Sequence, residues 1–444
     1  MPSPLAAAPP SPLPAPGLRA WQERALARLA VWEEGPFLLS AAPGAGKTRP
    51  ALVLARELLR RRAVARVAVV CPTTPLTRQW SEAAARLGVE LVPDAEHPRP
   101  PSGFHGVAVT YARVASSAPR WGRGAGAGTL VIADEAHHLG EDLAWGTGFA
   151  HAFGAAPRWL LLSGTPFRSD QGAIPGVRYG ADGVAEPDVA YGFAEAVREG
   201  VCRPVVFVPY DGRLSWRSGD EVVESSFSDA LAGREASRRY RTAISTELVD
   251  GLPRILRAAH ERLVALRGDG HRDAGGLVVA ADGAHARRLA ATLREVSGAA
   301  PTVVLHTDPQ AHAKLQGFRT GSAPWLVAVN MVSEGVDIPR LRVGVYATAA
   351  KTALAFRQIV GRFVRTIPGR PAGERSWLYL PADPVLRTLA AQVEQEVRPL
   401  VRTRDEGPDA FDEPRERRAS EPSEAPAFVP VAADVAPQLA LFGG

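Results

Sequence analysis

Short apolar runs alternate with stretches of helical periodicity along most of this chain. Between Leu18 and Phe167 the runs Phe37–Ala41, Val67–Cys71, Gly106–Thr110, Leu130–Ala133 and Trp159–Ser163 each read as a strand. Between Leu256 and Leu400 the runs Leu277–Ala281, Thr302–Leu305, Trp325–Val329, Val343–Ala347 and Trp377–Leu380 do the same. Strands that alternate with helical patterns predict parallel sheets covered by helices, so the fold class is α/β, with one such region at residues 18–167 and a second at 256–401. Residues 168–255 are less regular, rich in glycine and charge, with one strand candidate at Pro204–Pro209; they read as a connector with a small β element. Residues 1–17, rich in proline and alanine, read as an unstructured leader, and residues 402–444 as a disordered tail. Within the tail, Leu439, Leu441 and Phe442 read either as a short docking segment or as a frayed end.

Composition narrows the class. A chain of 444 residues accommodates two ordinary domains with connectors. The formal net charge is +5, yet residues 402–444 hold five arginines against nine acids, which leaves +9 on the remainder. The folded part is therefore the basic part, as suits a polyanionic partner. Two cysteines, Cys71 and Cys202, are too few for a four-thiolate metal site or a disulfide framework and point to a reducing compartment. No apolar run reaches membrane-spanning length, and the start of the chain is unlike a signal peptide, so the expected location is cytoplasmic with no membrane partner.

Only three of the 52 basic residues are lysines, and one of them, Lys47, sits in Ala41-Ala42-Pro43-Gly44-Ala45-Gly46-Lys47-Thr48. A strand enters this glycine-rich segment and a helix, Thr48–Leu59, leaves it. Gly44 and Gly46 allow backbone N–H groups to turn toward phosphate oxygens, the helix N-terminus adds positive potential, and the Thr48 hydroxyl is placed for Mg²⁺. Ala41 stands where the usual G-x-x-x-x-G-K-[ST] pattern has its first glycine. A second constellation, Asp134-Glu135-Ala136-His137, ends the apolar run from Leu130. Hydrolysis of ATP needs one acid to hold the Mg²⁺ shell and another to orient the attacking water, and adjacent carboxylates at a strand end can supply both.

These pieces and others in the same order resemble superfamily 2 helicases and translocases of the DEAH-box kind, in particular restriction- or repair-type ATPases. The set is Arg19-Ala20-Trp21-Gln22, the glycine loop, Pro72 to Trp80, Thr110-Tyr111, Asp134 to His137, Ser163-Gly164-Thr165-Pro166-Phe167-Arg168, Asn330 to Pro339, and Gln358-Ile359-Val360-Gly361-Arg362-Phe363-Val364-Arg365. The resemblance runs from Leu18 to Arg365. It implies two tandem RecA-like domains with ATP bound at their interface, 18–167 being the ATP-binding domain and 256–401 the C-terminal one. It implies Gln22 as the adenine contact, Gly44, Ala45, Gly46 and Lys47 as the phosphate cradle, Thr48 and Asp134 as Mg²⁺ ligands, and Glu135 as the group that activates water. Arg362 and Arg365 resemble arginines that reach the γ-phosphate, with Gln358 near the water and Asp337 near the ribose or those arginines. Thr73, Arg78, Thr110, Tyr111 and Asn330 correspond to nucleic-acid contacts, and His137, Ser163 and Thr165 to the element that couples hydrolysis to strand movement. For Tyr111 and Trp80 a core-packing role stays open, as does helix capping for Asn330.

The stretch from Tyr191 to Pro209 is similar to the linker of DEAH proteins acting on DNA duplexes, which favours DNA over RNA. The contexts of Lys314 and Lys351 do not suit a metal-dependent nuclease, so a cutting activity is expected, if anywhere, on a partner subunit such as a nuclease or repair protein. Three readings follow: an ATP-driven DNA helicase or translocase, which is preferred; an ATPase switch or clamp that loads partners without unwinding; and a DNA-binding scaffold that does not hydrolyse ATP.

Overall fold

The computed structural model describes residues 17–124, 126, 128–164, 172–181, 183–218, 220–305, 307–329, 337–367, 369–370, 374–397 and 428–438. The chain forms two compact units. The first gathers the described residues up to Cys202 together with those of Ser333–Ile338 and Arg357–Arg370; the second holds the rest.

The first unit is built on seven strands: β1 (Gly35–Ala41), β2 (Arg66–Cys71), β3 (Leu91–Val92), β4 (Gly106–Thr110), β5 (Thr129–Asp134), β6 (Arg158–Ser163) and β7 (Val189–Tyr191). Their order is β3-β4-β2-β5-β6-β1-β7, and every pairing is parallel. Every residue of β4 and β5 is buried, the expected state of strands sandwiched between helices and the reason their sequences are apolar at consecutive positions. The strand ends at Ala41, Cys71, Thr110, Asp134 and Ser163 all lie on the carboxyl edge of one parallel sheet. Ligands of such sheets bind at that edge, and the sequence places its chemistry there.

The second unit carries β8 (Val205–Ser218), β9 (Glu221–Ser225), β10 (Gly275–Ala280), β11 (Thr302–Val304), β12 (Trp325–Val329), β13 (Leu341–Ala347), β14 (Ser376–Pro381) and β15 (Phe428–Pro437). The order is β11-β12-β10-β13-β14-β8-β15, with β9 also paired to β8. The first six strands of that order run parallel, and β9 and β15 lie antiparallel on β8. At the amino edge of β13 and β14 a buried charge cluster surrounds Glu374, whose carboxylate lies 3.1 Å from Arg342, 3.0 Å from His271 and 3.5 Å from Arg203.

All ten strands expected from the apolar runs are present. Two expectations need extending. Residues 168–255, read as a connector with a small β element, contribute a strand to each sheet: Val189–Tyr191 extends the first beside β1 and Val205–Ser218 extends the second beside β14. Three residues are too few to register as a strand in sequence, and β8 continues into a stretch of irregular exposure that masks its length. The tail is not wholly disordered. Residues 428–437 pair with β8 along its length, burying Val435 and Ala433, because β8 would otherwise present unpaired backbone groups. Leu439, Leu441 and Phe442 lie outside the described residues.

Candidate nucleotide site

The loop from β1 to the helix Thr48–Arg60 has Gly44 at φ 78° and Gly46 at φ 90°. Both values are left-handed, where a side chain is strained. Both positions are also crowded: a Cβ on Gly44 would meet Arg365 Cγ at 3.1 Å, and one on Gly46 would meet Gln22 Nε2 at 3.0 Å. The Lys47 ammonium donates to the Ala41 carbonyl at 3.3 Å, folding back over the loop. Ala41 and Ala45 are fully buried.

Gln22 differs from expectation. Its Nε2 donates to the Gly46 carbonyl at 3.0 Å and its Oε1 accepts the Arg19 backbone N–H at 3.0 Å. One end of the amide therefore secures the loop and the other caps the start of its own helix. Arg19, which the sequence left without a role, donates to the Ala45 carbonyl at 2.8 Å. Its signal was its place three residues before Gln22, which makes it the N-cap of the helix Ala20–Ala30.

Asp134 closes β5 and is 7% exposed. Trp80 Nε1 donates to its Oδ2 at 2.7 Å, and the Glu135 N–H to its Oδ1 at 3.1 Å. Burial, and then the charge of Glu135, push this carboxyl up from 3.8 to about 6. Glu135 moves the other way: burial would raise it, but Lys47, His137, His138 and Arg362 together outweigh burial and hold it low, at about 2. Glu135 also has φ 50°, one of three non-glycine residues in the left-handed region among those described. Such backbone is rare outside glycine and asparagine and collects at functional sites.

His137, 3% exposed, is the centre of a side-chain relay. Its Nδ1 meets Ser163 Oγ at 3.1 Å, its Nε2 meets the Gln358 amide at 3.1 Å, and Glu135 Oε2 lies 3.6 Å from Nδ1. Three segments far apart in the chain thus meet on one imidazole. His138 lies tilted beside it, ring centroids 4.5 Å apart. Glu135, Gly164, Gln358, Arg362 and Arg365 line one cavity with Pro43 of the loop, all within the first unit. Arg365 forms an ion pair with Asp337 at 2.8 Å, and the backbones of Arg365 and Cys202 form a β-bridge.

The residues read as nucleic-acid contacts divide. Arg78 is exposed on the helix Thr74–Ala85, and Thr73 Oγ1 is buried with no hydrogen-bond partner among the described residues. Thr110 Oγ1 instead caps the helix Tyr111–Ser116 by accepting the Arg113 N–H. Tyr111 is 1% exposed, with its hydroxyl donating to the Asp134 carbonyl at 2.8 Å. For Tyr111 the packing alternative is the one realised, and burial removes its side chain from any strand surface. Asn330 and Thr165 lie outside the described residues.

The Mg²⁺ expectation fits the donors. Hard cations take oxygen ligands, and a carboxylate raised first by burial and then by its neighbour's charge is the group a cation would relieve. Bound there, Mg²⁺ would neutralise phosphate charge, with Asp134 and Thr48 as its protein ligands.

A parallel sheet with a glycine loop after one strand and paired acids after another defines a P-loop α/β protein. Comparison with known proteins sharpens the class. Residues 16–168 match the family "Type III restriction enzyme, res subunit", and residues 277–366 match the "Helicase conserved C-terminal domain". Uncharacterized proteins of Mycobacterium tuberculosis and Mycobacterium leprae are 45% identical over 387 residues and 43% identical over 385. Each alignment covers 85% of this chain, which spans 64% of the length of these relatives. Among solved structures, the fragment of an HsdR subunit assigned to a type I restriction enzyme of Vibrio vulnificus superposes with TM-score 0.59 at 16% identity, covering 86% of this chain and 67% of that one. Saccharomyces cerevisiae Dbp5 bound to RNA and ADP BeF3 gives 0.53 at 14% identity, covering 85% and 87%. The ATP-dependent Type ISP restriction-modification enzyme LlaBIII bound to DNA gives 0.53 at 15%, covering 86% and 30%. At such identities these structures speak to the fold alone, two tandem RecA-like domains. The two family matches support a superfamily 2 helicase-type protein.

Proposed function

We propose that this chain is a Mg²⁺-dependent ATPase of the DEAH kind, whose hydrolysis drives movement along DNA. The observation that carries the reading is the convergence of Glu135, Gln358, Arg362 and Arg365 on one cavity beside the glycine loop. A nucleotide-storing or kinase-like site has no need of that array. In this reading Lys47 and the loop amides hold the β- and γ-phosphates, and Glu135, ionised at neutral pH, accepts the proton of the attacking water. Arg362 and Arg365 stabilise charge developing on the γ-phosphate, which can be worth roughly 10³ to 10⁵ in rate. The His137 relay joins Glu135, Ser163 and Gln358, so that the state of the water-activating group is felt along the sheet edge. Arg78, exposed on its helix, meets the phosphate backbone without reading sequence.

DNA is preferred to RNA on the match to a restriction-enzyme family, and that match also suggests a separate subunit that cuts. A cytoplasmic setting accords with both. The test is ATP turnover of the full chain with single-stranded DNA, duplex DNA, forked DNA and RNA in parallel, with Lys47→Ala as the control. DNA-stimulated turnover that Lys47→Ala abolishes supports the motor, and a strand-displacement assay then separates unwinding from translocation or a clamp-like switch. DNA binding with no turnover in any arm overturns the motor in favour of a scaffold.

A further inference from the structure

We propose that Trp80 and Tyr111 are positioning residues that tie the two segments read as strand-tracking loops to the Mg²⁺ carboxylate, Asp134. The inference rests on the functional reading above and deepens it. Trp80 lies on the helix Thr74–Ala85, which begins directly after Thr73, and its ring is 2% exposed. Its indole N–H ends on Asp134 Oδ2 at 2.7 Å. Tyr111 starts the helix after β4, and its hydroxyl ends on the Asp134 carbonyl at 2.8 Å. One bond holds the carboxylate; the other holds the peptide leading into the left-handed Glu135. Two buried aromatics from separate segments thus direct their only side-chain donors at the same residue.

Packing alone would not require this, since at Tyr111 a phenylalanine fills the same space without a donor. Buried aromatic donors find partners as a rule, but the choice of partner here is specific: both donors end on one residue, Asp134. The helix Thr74–Ala85 then has two faces of consequence. Arg78 is exposed and the Thr73 hydroxyl is unpartnered among the described residues, while Trp80 faces the acid. A shift of that helix on contact with a phosphate backbone turns the Asp134 carboxylate with it. Groups behind a metal ligand set its orientation, and removing them commonly weakens metal affinity about 10- to 100-fold.

The test uses the full chain carrying Trp80→Phe or Tyr111→Phe, each of which deletes a donor and keeps an aromatic ring. Equilibrium binding of a fluorescent ATP analogue is measured in EDTA and across a Mg²⁺ titration, and turnover is measured with and without single-stranded DNA. Trp80→Phe is expected to raise the Mg²⁺ concentration for half-maximal tightening about tenfold while leaving affinity in EDTA unchanged. Both variants are expected to lower the ratio of DNA-stimulated to basal turnover at least about threefold, about one hydrogen bond's worth of coupling. A wild-type Mg²⁺ midpoint together with a wild-type stimulation ratio overturns the inference. Should Trp80→Phe fail to fold, Tyr111→Phe decides through the stimulation ratio alone. A wild-type chain stimulated by DNA whose variants match it sinks only this inference; a wild-type chain with no turnover on any nucleic acid sinks the functional reading as well.

Discussion

Replacing Asp134 by Asn should make the metal-free protein more stable at pH 8 while ending its turnover. The carboxyl is 7% exposed, and burial, followed by the charge of Glu135, lifts it from 3.8 to about 6. At about 1.36 kcal/mol per pH unit the lift corresponds to about 3 kcal/mol. The sign follows from proton binding. Between about pH 4 and pH 6 the native state keeps a proton that the unfolded chain has lost, so this group's contribution is fully present below about pH 4 and is lost as pH rises through about 6. Above that, the native state carries a buried ionised group. Asparagine has the same shape, never ionises, and keeps an oxygen for the Trp80 indole. Because Asp134 and Glu135 titrate as a pair, the neighbour shares in the change, and a gain of about 1 to 3 kcal/mol at pH 8 is expected, about half as large at pH 5. Urea unfolding of both proteins in EDTA at the two pH values measures it. An Asp134→Asn chain no more stable than wild type at pH 8, or one equally stabilised at both pH values, would refute the reasoning.

Arg362→Ala should lower turnover at saturating ATP by at least about 10³-fold while changing nucleotide affinity little, because its interaction develops in the transition state; steady-state kinetics beside equilibrium binding separates the two. Glu374→Gln should destabilise the second unit by about 3 to 5 kcal/mol, since it leaves the buried Arg203 and Arg342 without their shared carboxylate; thermal unfolding checks it, and a loss under about 1 kcal/mol would mean the cluster is well solvated. Removing residues 428–444 should lower the melting temperature and promote self-association by uncovering β8, read by calorimetry and light scattering.

Ten of the strands, the glycine loop and the paired acids were all legible in the chain, because each depends on neighbours in sequence. A strand buried on both faces must be apolar throughout, a phosphate loop needs glycines where φ is positive, and both signals are local. The edge strands β7 and β15 were not legible. A short edge strand is held by the sheet it joins, so Val189–Tyr191 and Phe428–Pro437 take their conformation from β1 and β8 and not from their own residues.

The same division runs through the site. Sequence alone determined which side chains could do phosphoryl chemistry, since residue type and spacing suffice for a lysine after glycines or an arginine pair three apart. Only the tertiary structure decided what those side chains touch: that Gln22 secures the loop, that His137 joins Ser163 to Gln358, and that Trp80 and Tyr111 both end on Asp134. Hydrogen bonds between residues 23 to 221 positions apart are set by where the sheet brings its strand ends together, and no local pattern carries that information.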